Sequence, residues 1–230
     1  MISRKKLIIF ISFVILLSTV LSSCGGKVLR FKNDGKTGNL IDETNGRYYI
    51  YCGSYLRAAE IKKNVYARCP KEKGSSEVKL HEIPGIDPAK WLSENIEAGI
   101  PLLFREQSEE EPKLEEFETE RIYITISGEI TFALGMVYIK SDIDAMVNDY
   151  VYGEAVDVPD FISDSYTLNF ESEKHSGILY ILLYLVDDKG KDYLYDRWTG
   201  RCVRCGIKLF GGTGIDWDLL PELDLSPKIP

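Results

Sequence analysis

Histidine is scarce in this chain, with His81 and His175 as the only two among 230 residues. A serine or cysteine nucleophile is activated by a base within hydrogen-bonding distance, and neither histidine has another histidine or a cysteine at metal-ligand spacing. The scarcity argues against histidine-dependent catalysis and against a histidine-based metal site. We therefore interpret both histidines as structural residues and predict no cofactor.

Complete motifs for nucleophilic or phosphate chemistry are also absent. Residues 76–79 (SEVK) and 36–38 (KTG) match two motifs of the penicillin-binding proteins, but in reversed order and without a predicted helix after the serine. Residues 211–214 (GGTG) lack the Lys-Ser/Thr of a phosphate-binding loop. The 36 acidic side chains leave a hydrolase with two paired carboxylates possible.

Long hydrophobic runs are absent except for one, at residues 7–21. Its length of about fifteen residues is below the roughly 20 that a membrane-spanning helix needs. The basic segment Arg4, Lys5 and Lys6 precedes it, and small residues follow it. This order is typical of a secretory signal peptide.

The end of this run, Leu21-Ser22-Ser23-Cys24, resembles the lipobox of bacterial lipoproteins. The resemblance implies that residues 1–23 are removed and that Cys24 becomes a lipid-modified N-terminus. The chain would then be held on the extracytoplasmic side of the bacterial cell membrane, which implies the membrane as a partner. The alternative is an ordinary secretory signal that is cleaved after Gly25, which would leave Cys24 without a lipid.

Positive charge is in deficit. Without residues 1–23 the chain has 25 basic and 36 acidic side chains, a formal net charge of −11. Such a chain is repelled by phosphate backbones and by anionic head groups. We therefore predict no nucleic-acid partner and expect the lipid to hold the protein at the membrane.

The rest of the chain predicts an α+β fold with a mainly antiparallel sheet. We expect a flexible tether at 24–45 that contains one short strand at 28–31, and a globular domain at 46–230 with short helices at 87–99 and 141–153. Strands are predicted at 47–53, 60–69, 77–83, 121–127, 129–140, 165–170, 177–188, 191–197 and 201–210. The last four form a C-terminal meander in which 177–186, apolar on both faces, is the central strand.

Acidic residues are concentrated in two places. Residues 106–120 contain eight glutamates and one lysine, which predicts a solvated loop that could divide the domain in two. Two aspartate groups, Asp142/Asp144 and Asp187/Asp188/Asp192, could bind calcium, but the order of a calcium loop and its central glycine are missing. We therefore predict no metal site.

Four further cysteines follow Cys24: Cys52, Cys69, Cys202 and Cys205. An even number in an exported chain permits two disulfides. The Cys-Val-Arg-Cys spacing at 202–205 is also compatible with a redox pair, but such pairs lie at the start of a helix and a strand is predicted here. It is compatible with a zinc knuckle as well, but Cys52 and Cys69, which would supply the other two ligands, do not form a second closely spaced pair. We favour a structural role, either as disulfides or as buried thiols.

Tyrosine is abundant, with fourteen residues. Many of them are concentrated in predicted strands or directly beside one, among them Tyr48, Tyr49, Tyr51, Tyr55, Tyr180, Tyr184, Tyr193 and Tyr195. Rings in half-buried sheets usually pack across strands. Exposed rings, for which Trp91 and Trp198 are candidates, could bind an envelope glycan, peptide or protein. The sequence thus favours a non-enzymatic binding module over an envelope hydrolase that uses paired carboxylates.

Overall fold

The computed structural model describes residues 28–70, 77–94, 101–126, 132–209 and 215–216. The described strands are Leu29–Arg30 (β1), Lys32–Asn33 (β2), Leu40–Asp42 (β3), Arg47–Tyr51 (β4), Leu56–Ala58 (β5), Val65–Cys69 (β6), Val78–His81 (β7), Trp91–Glu94 (β8), Leu102–Glu106 (β9), Arg121–Ile126 (β10), Phe132–Val137 (β11), Ile162–Glu171 (β12), Ile178–Asp187 (β13), Asp192–Tyr195 (β14), Cys202–Arg204 (β15) and Ile215–Asp216 (β16). One α-helix, α1, spans Lys140–Tyr152, and a 3-10 turn spans Leu114–Glu116.

The N-terminal half forms a closed ring of strands. Hydrogen-bonded neighbours follow the path β1–β6–β7–β8–β9–β4–β3–β2, in which only β1–β6 is parallel. β1 and β2, the two ends of this path, are separated in the chain only by Phe31, so the chain itself joins them and closes the ring. The ring encloses its own apolar core, made by Phe31, Leu40, Tyr49, Ala67, Cys69, Val78, Leu80, Leu92 and Phe104.

The C-terminal half is an antiparallel sheet covered by α1. β12, β13, β14 and β15 follow one another as a meander, and β10 and β11 extend the sheet beyond β12. α1 presents Ile143, Met146 and Tyr150 to a large core shared with β10, β12 and β13. The short strand β5 pairs with β9 of the ring and with β13 of this sheet, and so joins the two halves.

The predicted antiparallel sheet, the meander and the helix at 141–153 are confirmed, and β13 is the central strand with neighbours on both sides. The predicted helix at 87–99 is wrong over its described part. Asp87 instead closes a turn through its backbone carbonyl and side chain, and β8 begins at Trp91 between β7 and β9. Trp91, Leu92 and Ser93 are all buried, because the strand is covered on both faces.

The folded region begins earlier than the sequence indicated. The tether was expected to extend to residue 45 with one short strand at 28–31, which corresponds to β1, but β2 and β3 also lie in it, between residues 32 and 42. Phe31 and Leu40 are buried in the ring core, and this burial orders the polar residues around them. Only residues 24–27 of that tether lie outside the described part of the chain.

The acidic segment 106–120 is folded onto the domain. Its glutamates are mostly exposed, as expected for a solvated segment, but Leu114, Phe117 and Thr119 are buried. Leu114 and Phe117 belong to the large core.

Within the part of the chain that the structure describes, no helix has the length and apolarity to span a membrane.

Candidate functional site

The turn between β14 and β15 holds one exposed tryptophan in a fixed position. The carboxylate of Asp196, only 2% exposed, accepts the backbone N–H of Trp198 at 2.8 Å and the hydroxyl of Thr199 at 2.7 Å. It also accepts the hydroxyl of Tyr150 from α1 at 3.2 Å. Because a buried carboxylate is stabilised by such donors, the turn is anchored to the core and sets the direction of Trp198.

The indole of Trp198 lies on the backbone of Gly53, in the loop between β4 and β5. A Cβ at Gly53 would lie 2.8 Å from the indole ring, so only glycine permits this approach. Gly53 also has a φ of +78°, which glycine adopts readily. The ring of Tyr51 meets the indole edge-on, with centroids 5.5 Å apart. Trp198 nevertheless remains 55% exposed and can contact a ligand.

Two arginines lie beside these rings. Arg57 on β5 is half-buried, and burial lowers the pKa of its guanidinium, an effect opposed by Tyr51 and reinforced by Arg197. Its Nε atom is buried and has no hydrogen-bond partner among the described residues. Arg197 is exposed in the same turn as Trp198. We call Tyr51, Gly53, Arg57, Arg197 and Trp198 together the Trp198 surface.

The Trp198 surface combines two kinds of recognition. An exposed indole face packs on flat or weakly polar surfaces such as the C–H face of a sugar ring. A guanidinium donates paired hydrogen bonds to a carboxylate or phosphate. The surface therefore suits a ligand that has a flat apolar face next to an anionic group. The sequence alone pointed to Trp198, but it gave no indication that Gly53 and Arg57 would lie beside it.

The other ring residues singled out from the sequence lie elsewhere. Trp91 was expected to be exposed, but it is 7% exposed and packs in the large core, because β8 is an interior strand. The tyrosines of the predicted strands are mostly packing residues. Tyr49, Tyr180, Tyr184 and Tyr193 are buried, and Tyr48, Tyr51, Tyr55 and Tyr195 are half-buried.

The four described cysteines are buried and are divided among three apolar clusters. Cys52 and Cys205 belong to the large core, Cys69 to the ring core, and Cys202 to a small cluster with Leu185 and Tyr193. Burial raises the pKa of Cys205 to about 12 and raises those of Cys52 and Cys202. Thiols held protonated in this way are poor nucleophiles and poor metal ligands. Cys24 lies outside the described residues.

Both histidines are held in packed positions. Nδ1 of His81, which is buried, lies 2.9 Å from the carbonyl oxygen of Lys62. The ring of His175 stacks on Phe117 with centroids 5.0 Å apart, and burial with the charge of Lys174 lowers its pKa. Each histidine thus has a structural contact in the fold.

The aspartates considered as calcium ligands make local hydrogen bonds. Asp144 forms an ion pair with Lys140 at 2.8 Å on α1. Asp187 accepts the backbone N–H of Lys191 at 2.8 Å and the hydroxyl of Tyr193 at 3.0 Å, and these bonds close the β13–β14 turn. Among the described residues, no group of three His, Cys, Asp or Glu side chains is arranged to hold a metal ion.

Comparison of the chain with protein-family models, with curated proteins and with solved structures found no match.

Proposed function

We propose that the protein is a lipid-anchored lipoprotein of a bacterial cell envelope that acts as a non-enzymatic binding module. The anchor is supported by Leu21-Ser22-Ser23-Cys24, which follows a basic segment and a short apolar run. Two or more acyl chains on Cys24 would hold the domain stably at the membrane. The domain then needs only to contact a ligand that is present at the envelope.

The observation that carries the binding role is the Trp198 surface. An indole fixed by a buried carboxylate and a glycine, yet 55% exposed, is prepared for contact before any ligand arrives. The exposed guanidinium of Arg197 lies in the same turn, and the positive charge of Arg57 lies close to it. The ligand class that fits best is an acidic glycan, whose sugar ring would stack on Trp198 while its carboxylate meets the guanidinium groups.

Binding is tested with acidic and neutral oligosaccharides of matched length, by titration calorimetry on the mature protein. We expect Trp198→Ala to raise the Kd for the acidic glycan by about tenfold or more, since a central aromatic anchor contributes about 2 kcal/mol. Arg197→Gln should weaken binding of the acidic glycan only. Tyr138→Ala is the matched control, because Tyr138 is 50% exposed but precedes the start of α1, at the opposite end of the helix from the β14–β15 turn.

Two results would contradict this proposal. Equal binding by the parent chain and by both surface variants would show that the Trp198 surface is not the site. Hydrolysis of the glycan that is lost when one acidic residue is changed, with folding intact, would favour the envelope hydrolase instead.

Lipidation is tested separately, by mass spectrometry of Cys24 in the protein extracted from membranes. A soluble chain that begins after Gly25 would remove the anchor from the proposal.

A further inference from the structure

The proposed anchor lies very close to the first strand of the ring. Cys24 precedes Leu29, the first residue of β1, by five positions. A fully extended chain spans at most about 3.3–3.6 Å per residue, so β1 lies within about 17 Å of the anchoring cysteine. This inference depends on the lipidation proposed above. If Cys24 is lipidated, the outer face of the ring around β1 is held next to the bilayer.

That outer face has a row of cations across three strands. Arg30 on β1 lies opposite Arg68 on β6, which in turn lies opposite Lys79 on β7. The flanking residues Ala67 and Leu80 are buried in the ring core. Since successive side chains of a strand point to opposite faces, the three cations share the outer face. We call Arg30, Arg68 and Lys79 the basic row.

Two members of the basic row are free to meet an external anion. Arg68 forms an ion pair with Glu77. Arg30 and Lys79 are exposed and have no ion-pair partner among the described residues. The chain from Cys24 has a formal net charge of −11. The exposed cations on the outer face of the ring therefore have the opposite sign to the net charge of the chain.

We propose that the basic row lies against anionic phospholipid head groups and orients the domain on the membrane. The Debye length at physiological salt is about 8 Å, so a charge acts on the membrane only when it is held near the surface. The short connection to Cys24 keeps the basic row at that distance, while acidic surfaces elsewhere on the chain are repelled. With the ring side facing the bilayer, the protein has one preferred orientation.

The test uses the mature chain 24–230 with one acyl chain coupled to the Cys24 thiol, since the four described cysteines are buried. A single acyl chain binds membranes only marginally and reversibly, so it holds the basic row near the surface without masking its contribution. Co-sedimentation is measured with phosphatidylcholine vesicles and with vesicles containing 30% phosphatidylglycerol, at low and at physiological salt. We expect tighter binding to the anionic vesicles than to the neutral ones, by a factor that falls as salt rises. Arg30→Gln and Lys79→Gln should each lower the binding constant about fivefold. Lys189→Gln and Lys208→Gln are matched controls, because both lysines are exposed in the C-terminal half.

The outcomes separate this inference from the proposed anchor. Equal binding to both kinds of vesicle, or an equal loss in the two control variants, would overturn the role of the basic row. A lipidated Cys24 in membrane-extracted protein would leave the anchor standing in that case. Preferential binding that is lost only in the Arg30 and Lys79 variants would support the basic row. If Cys24 then proved to be unmodified, the row would bind anionic membranes but its orientation by the anchor would be refuted.

Discussion

At the scale of single residues, Gly53 links the two halves of the molecule through its contact with Trp198. We predict that Gly53→Ala lowers the free energy of unfolding by about 2–5 kcal/mol. A non-glycine residue in the left-handed region costs about 1–2 kcal/mol, and the added Cβ would lie 2.8 Å from the indole, where overpacking adds about 1–3 kcal/mol. Urea denaturation followed by circular dichroism measures the change.

Gly46→Ala is the matched control for Gly53→Ala. Gly46 has a φ of +68°, similar to that of Gly53, but a Cβ there would meet nothing within 4 Å. Its cost should therefore be the backbone strain alone, about 1–2 kcal/mol. If the two variants lose equal stability, the contact between Gly53 and Trp198 contributes nothing to the fold.

Buried thiols and phenols predict a loss of stability at alkaline pH. Burial raises the pKa values of Cys205, Tyr49 and Tyr150 to about 12, against about 8.5 for cysteine and 10 for tyrosine in an unfolded chain. Because the folded pKa is the higher one, the contribution of each group is complete below its unfolded pKa and is lost as pH rises toward 12. Each titrating group then contributes a slope of about 1.4 kcal/mol per pH unit.

The pH prediction is checked by urea denaturation between pH 7 and pH 10.5. The free energy of unfolding should be constant up to about pH 8.5, the unfolded pKa of cysteine, and should fall above it. In Cys205→Ala the slope between about pH 8.5 and 10 should be smaller by the contribution of one thiol. A parent chain with constant stability up to pH 10 would show that the thiols are not desolvated.

At the scale of elements, the end of α1 depends on an arginine from the β14–β15 turn. Arg201 donates hydrogen bonds to the carbonyl oxygens of Tyr150 at 3.0 Å and of Gly153 at 2.8 Å. The last carbonyls of a helix have no partner within the helix, and a cation there is favourable. The β14–β15 turn of the meander thus caps the C-terminal end of α1, the helix that covers the meander.

We predict that Arg201→Ala lowers the free energy of unfolding by about 1.5–3 kcal/mol, the range for hydrogen bonds to a charged group. Arg197→Ala, in the same turn and exposed, is the control and should change stability by less than about 0.5 kcal/mol. Thermal unfolding followed at 222 nm measures both variants. An equal effect in the two would mean that Arg201 does not stabilise the end of α1.

Elements with a strong local pattern could be predicted from the sequence, and elements decided by distant partners could not. The helix at 141–153 and the long apolar strand β13 have their own periodicity, and both were predicted within a few residues. Residues 87–94 have helix start signals but form a turn and a strand, because β7 and β9 pair with β8 on both sides. Pairing across the chain overrides a local propensity in this case.

The candidate site was predictable only in part, for a related reason. Trp198 stood out as a ring in a turn, but exposure depends on packing, which the same reasoning misjudged for Trp91. Gly53 and Arg57 become part of the Trp198 surface only after β5 joins the ring to the meander. Their sequence neighbours contain no motif that would indicate this position.

At the scale of the whole molecule, the ring is closed by its first segment. Phe31 is 1% exposed and lies between the two short strands that complete the ring, β1 and β2. We predict that Phe31→Ala lowers the free energy of unfolding by about 3–5 kcal/mol, as for other buried phenylalanines. Denaturation by urea, followed by tyrosine and tryptophan fluorescence, measures the loss.

Val28→Ala is the control for Phe31→Ala. Val28 precedes β1 and is exposed, so its truncation should change stability by less than about 0.5 kcal/mol. A chain that begins at residue 46 should lack cooperative unfolding, since it loses β1, β2 and β3 together. Normal stability of that shortened chain would show that the ring does not need its first segment.

Ring closure by the first segment also sets an order in time. A chain made from its N-terminus at 5–20 residues per second needs roughly 4–15 s to pass from Asn33 to Glu106, the ends of β2 and β9. For about the first half of this delay β1 has no β6 to pair with, and the core around Phe31 is incomplete until β9 has been made. β1 therefore cannot take its place in the ring while the rest of the ring is still being made. This first strand is thus among the last to be fixed, and the lipidation proposed for Cys24 would have that interval in which to occur.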